Sequence, residues 1–139
     1  MEHEITENEK KKWYLRGYER AVRQMQRSDL RIRELRLNQI CPAVIADGMP
    51  HVLGGSDLSD FAAELDREER KYMKARYLRV KLCREIMDKI ERLPNEDEKD
   101  VLAFRYIKLM KWEDICVEMN LSWRRVHYIH SDALEHFIL

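Results

Sequence analysis

Cysteine is scarce in this chain. Only Cys41, Cys83 and Cys116 occur in 139 residues, widely spaced and with no CxxC pair. That argues against a zinc site or a disulfide framework and fits a reducing cytoplasm. A Gly-rich phosphate loop, a Gly-x-Ser-x-Gly elbow and a metal-spaced His/Cys cluster are all missing, so nothing here points to catalysis, a cofactor or a metal. Long apolar runs are missing too. The longest aliphatic stretch, Ala43 to Ala46, is far too short to span a bilayer, and the N-terminal residues form no apolar signal segment. The expectation is a non-enzymatic, cytoplasmic protein with no membrane partner.

Glycine and proline are few but clustered. Gly48, Gly54, Gly55, Pro42 and Pro50 all fall between residues 41 and 56, which marks the main break. Before it, Leu15, Tyr18, Val22, Met25, Ile32 and Leu35 recur at three- and four-residue steps, as one long helix requires. After it, Ser56 or Asp57 can cap a second helix. Leu58, Phe61, Leu65, Tyr72, Met73, Val80, Cys83, Met87, Ile90 and Leu93 make the stripe of that helix. Arms of about 30 and 36 residues span roughly 45 and 54 Å. Pro94 stops the second arm, and Asn95 with Glu98 resembles a capping box. The fold class expected is all-α: a long antiparallel helical hairpin over 1–93 with its linker at 41–56, then a three-helix helix-turn-helix unit over 94–139. Two long helices cannot cover broad apolar faces on each other. A homodimer through the hairpin is therefore expected, the alternative being a C-terminal unit folded back onto it. Arg16, Arg20, Arg23, Arg27 and Arg31 share a helical face. Pairing with Asp60, Glu64, Glu68 and Glu69 accounts for them more simply than tracking of phosphates.

The richest stretch is 111–131, KWEDICVEMNLSWRRVHYIHS. Ile115 is apolar, and Cys116 is small enough for the point where two short helices cross. Asn120 suits a turn residue of positive φ, a position that favours glycine and next asparagine. Leu121 plugs the crossing and Ser122 is a good N-cap. Val126 and Ile129, one turn apart, press the second helix on the first. With Ala133 and Phe137 also inward, the face left for DNA is Ser122, Trp123, Arg124, Arg125, His127, Tyr128 and Ser131. Arginine can hydrogen-bond guanine twice, and Tyr and His can contact phosphates or base edges. The bland alternative is an αα-hairpin with no ligand. Trp123 alone is as well explained by packing over the turn. His127 and His130 lie three apart but lack a third ligand, and Glu96, Asp97 and Glu98 are more simply favourable charge at a helix N-terminus.

From Ile90 onward the chain resembles region four of bacterial sigma factors, and more closely the small sigma-like regulators encoded by phages and integrated elements of Gram-positive bacteria. The residues that carry the resemblance are Leu93, Glu98, Val101, Leu102, Arg105 and Tyr106, then Trp112, Glu113, Asp114 and Ile115, then Val126, Ala133 and Leu134. Lys111 stands where Ser is common and Cys116 where Ala is common. Upstream, GMPHVLGGSDLSDFAAELD is similar to the connector of the same regulators. The resemblance implies a role in transcription at promoter DNA, at RNA polymerase, or both. It does not bring the regions with which full sigma factors melt a promoter.

Charge is zero overall but uneven. Residues 10–36 hold ten Lys or Arg against Glu19, Asp29 and Glu34, whereas 95–139 hold six against nine Asp or Glu. An acidic DNA-binding unit binds weakly alone, because neutralising phosphates supplies most non-specific affinity. The leading expectation is a regulator binding double-stranded DNA. The alternatives are a small DNA-packaging (terminase-like) or helical scaffold subunit, and a module that engages polymerase without touching DNA.

Overall fold

The computed structural model describes residues 4–40 and 55–139, with side chains described over 4–38 and 58–139. The expected linker therefore lies outside the described residues up to 54, as do the capping side chains of Ser56 and Asp57. The fold is all-α: α1 (Glu7–Leu15), α2 (Gly17–Ile40), α3 (Gly55–Ile90), α4 (Glu96–Leu102) running on into a π turn (Ala103–Ile107), α5 (Trp112–Met119) and α6 (Trp123–His136). No strand occurs among the described residues.

By contacts the chain divides into two compact units, Met1–Ala21 with Leu78–Leu139, and Val22–Tyr77. The division expected from sequence was at 93/94. The first unit also takes in α1, because α1 packs on α6. Tyr14 lies against Phe137 with ring centroids 6.2 Å apart. Lys11 Nζ donates to the Leu134 carbonyl at 2.7 Å, which satisfies an end-of-helix acceptor on α6. In the same unit, Lys89 of α3 sits over the Tyr14 ring and Arg79 Nε donates to the Tyr18 hydroxyl. Within this unit the first arm and the end of α3 thus run in opposite directions.

The first arm is not one helix. Arg16 interrupts it with ψ near −6° before α2 begins at Gly17, the weakest helix former of the run. α1 opens on a full capping box. Thr6 Oγ1 accepts from Glu9 N at 3.2 Å, and the Glu9 carboxylate accepts from Thr6 N at 2.9 Å.

Among the described residues of the unit Val22–Tyr77, Ser28, Ile32, Leu35 and Ala75 are buried. Arg31 pairs with Glu64 at 2.8 Å and Arg36 with Glu69 at 3.1 Å. Leu58 and Met73, expected in the apolar stripe, are exposed, as are Leu30 and Leu37. A seam between two helices covers a narrow strip, so apolar residues off its centre stay in water. In the first unit Val80 is exposed for the same reason. The arginine row does not act as one stripe: Arg31 is paired across helices, Arg27 bonds Gln24, and Arg20 stacks on Trp13.

Candidate nucleic-acid interface

α5 ends as the sequence requires. Asn120 takes φ 54° and ψ 45°, the left-handed conformation. Leu121 N donates to the Cys116 carbonyl at 3.0 Å and Asn120 N to the Val117 carbonyl at 3.2 Å. These two bonds are those of a Schellman turn, which closes the last carbonyls of α5 and sends the chain off at an angle. Ser122 then caps α6, its Oγ accepting from Arg125 N at 3.2 Å. Ile115, Val126 and Ile129 are buried with Val101 of α4. Phe104, Met110, Trp112, Cys116, Met119 and Leu121 pack around them. Cys116 thus lies at the crossing as its small size suggests.

Four of the seven expected contact residues, Ser122, Arg124, Arg125 and Tyr128, line one shallow surface depression. Ser131 is exposed one turn further along. Trp123 is half exposed and stacks on the His127 ring at 4.4 Å. His127 does not face outward as expected. Its ring is wedged between Trp123 and Trp112, each 4.4 Å away, and its Nε2 is buried with no hydrogen-bond partner. The Arg105 guanidinium lies over the Trp112 ring, 4.6 Å from its centre. An Arg105–Trp112–His127–Trp123 ladder thus runs to the first turn of α6 and holds Trp123 in one orientation.

The charge at this helix start is unusual. α1, α2, α4 and α5 all carry acidic residues in the first turn, which suits the positive end of a helix. α6 carries none and instead begins Trp123-Arg124-Arg125. Two cations at the positive end cost folding free energy, a cost that an external anion reverses.

Behind α6 lie polar pairs that the sequence did not reveal. The Tyr106 hydroxyl and His130 Nε2 are hydrogen-bonded at 2.8 Å. Burial, aided by the positive charges of Lys12, His127, Arg105 and Arg16, pushes the His130 pKa down to about 4. Burial likewise raises the Tyr106 hydroxyl above its ordinary value, so both groups are neutral at pH 7. Glu98 was expected to complete a capping box with Asn95. The box does not form, and Asn95 is a simple N-cap whose Oδ1 accepts from Asp97 N at 2.8 Å. The Glu98 carboxylate is buried instead against His136 Nδ1, at 2.9 and 3.0 Å. A second left-handed residue, Leu109 at φ 56°, turns the chain between α4 and α5.

The profile of the family described as "Protein of unknown function (DUF1492)" matches residues 64–136, which takes in most of α3 and all of α4–α6. No curated protein and no solved structure matches. More than half of the chain is covered by that profile, and the chain belongs to this family.

Proposed function

We propose that the chain is a DNA-binding transcriptional regulator that seats α6 in the major groove of promoter DNA. The observation that carries this is the first turn of α6: two arginines at the positive end of a capped helix, exposed beside Tyr128, on a helix fixed from behind by a left-handed turn. Arg124 and Arg125 contact base edges or phosphates, Ser122, Tyr128 and Ser131 hold the backbone, and Trp123 lies against the groove wall. His127 acts through Trp123, whose ring it supports. The similarity of residues from Ile90 onward to region four of sigma factors supports promoter DNA as the target and RNA polymerase as the second partner. Exposed Leu30, Leu37 and Met73 on the hairpin support a homodimer, which also supplies the second set of contacts that an acidic half-site reader needs. The protein belongs, on this view, in the cytoplasm, and no described helix is long and apolar enough to cross a membrane.

Selection of bound fragments from random duplex DNA, with and without polymerase, tests this proposal. A recurring motif enriched by the wild-type chain supports it. Enrichment of nothing under either condition refutes it, and capture of polymerase without DNA selection favours a module that binds polymerase alone.

A further inference from the structure

α1 has two faces with different fates. One face, with Lys11 and Tyr14, docks on α6. The other carries Ile5, Glu9, Lys12, Trp13 and Arg16, residues at steps that follow a single helical stripe. These side chains and Lys10 line a wide, mainly apolar groove. At its floor Trp13 is 68% exposed and Ile5 61% exposed. Ile5 stands just before the N-cap Thr6, where an apolar residue ordinarily packs on the fourth residue of the helix; that residue here is Lys10, so Ile5 has no such partner in α1.

Trp13 is exposed but not loose. The Arg20 guanidinium lies 4.0 Å over its ring, and Arg20 Nη2 donates to the Trp13 carbonyl at 2.9 Å. The interruption at Arg16 brings Arg20 to that position. An indole held in one orientation loses little freedom when a partner covers it, and tryptophan flanked by arginine is the composition of interface hot spots. The rim is cationic: Lys12 and Arg16 border the groove, Lys10 beside them is paired with Glu7 at 2.9 Å, and the carboxylate facing them, Glu9, is engaged by Thr6 N in the capping box.

We propose that this face of α1 docks an acidic amphipathic helix of a partner protein. Apolar side chains of that helix rest on Trp13 and Ile5, and its carboxylates meet Lys12 and Arg16. The apolar floor suits the apolar side chains of a protein helix better than a nucleic acid, whose phosphates would lie over indole and isoleucine surface. The proposal is independent of what α6 binds.

Two synthetic helical peptides with the same leucine stripe, one flanked by glutamates and one by lysines, test it on the full chain by fluorescence anisotropy. The glutamate peptide is expected to bind saturably and the lysine peptide not to. Trp13→Ala should weaken binding by roughly tenfold or more, and Lys12→Glu with Arg16→Glu should reverse the preference. Ile5→Ala, outside the helix, gives a second variant whose folding is not in question. Equal binding of both peptides, or binding unchanged by both Trp13→Ala and Ile5→Ala, overturns the proposal. So does displacement of the glutamate peptide by duplex DNA, which would make the occupant a nucleic acid. Self-association that depends on Trp13 without any peptide binding would make it a second copy, and also overturns it.

Discussion

The two compact units are both built of helices but held by different means. Around the turn at Asn120, Val101, Ile115, Val126 and Ile129 meet at one point from three helices and are almost wholly withdrawn from water. In Val22–Tyr77 the described seam withdraws Ile32, Leu35 and Ala75 and is laced by exposed arginine–glutamate pairs. Exposed pairs of this kind contribute about 0–1 kcal/mol each, whereas burial of one large aliphatic side chain contributes about 1.5–3 kcal/mol. The helix-turn-helix is therefore the rigid part, able to hold α6 at a fixed angle against α5. The two-helix unit leaves the apolar side chains of Leu30, Leu37, Leu58 and Met73 exposed.

The largest test of that contrast is truncation in each unit. Ile115→Ala should cost about 2–5 kcal/mol and loosen α5 against α6. Tyr77→Ala, at an exposed site that is not among those proposed for the homodimer, should stay within about 0.5 kcal/mol. Thermal and denaturant unfolding measure both, and equal costs would erase the distinction.

Acid should separate the units as well. Unfolded, the His130 imidazole takes a proton near its ordinary pKa of 6.5, whereas folded it does so at about 4. Between those values the unfolded chain holds the additional proton. Stability from this site is thus intact above pH 6.5, falls as pH drops through the window, and levels off below 4, with a full loss on the order of 3 kcal/mol. His130→Gln should flatten unfolding curves recorded across that window. Hydrogen exchange should show the acid-induced opening at α4 and α6 before the two-helix unit.

Cys116 comes next in size. Cys116→Phe overfills the crossing and should cost about 1–3 kcal/mol, with far-ultraviolet dichroism still reporting the long helices, while Cys116→Ala should be mild. If Cys116→Phe unfolds no earlier than the wild-type chain, the crossing is looser than its geometry implies.

Smallest are the two left-handed turns. Asn120→Ala should cost about 1 kcal/mol, because alanine lacks the local hydrogen bonding that lets asparagine adopt this conformation. Leu109→Gly should instead gain up to about 1 kcal/mol by removing a branched side chain from the same backbone region. Calorimetric midpoints moving in opposite directions would support both assignments.

These two turns also show what was legible in the sequence. Asn120 could be found because few residue types accept its backbone angles, and Ser122 follows it as a cap. Leu109 could not, since leucine carries no turn signal. Its conformation is imposed by neighbours: Met110 N donates to the Phe104 carbonyl at 2.9 Å and Arg105 Nη1 to the Met110 carbonyl at 3.0 Å. The apolar period located both arms of the hairpin but not how much of each stripe would be covered, and so Leu58, Met73 and Val80 were expected inside and lie outside. Ser122, Arg124, Arg125, Tyr128 and Ser131 were legible as an outward face because Val126 and Ile129 set the inward one. His127 was misjudged because its position depends on Trp112, which reaches it only through the tertiary fold. Glu98 was legible as a residue of the first turn of α4, but its recruitment by His136, far along the chain, was not.

On the function proposed above, the first turn of α6 binds DNA. The most direct measurement is the affinity of the wild-type chain and of the Arg124→Ala/Arg125→Ala double variant for a duplex enriched by the wild type, with thermal unfolding recorded in parallel. Binding should weaken by about 1–3 kcal/mol per lost base contact, with an unfolding midpoint unchanged or slightly raised, because the two cations at the helix start are gone. Undiminished affinity in a fully folded double variant would contradict the claim.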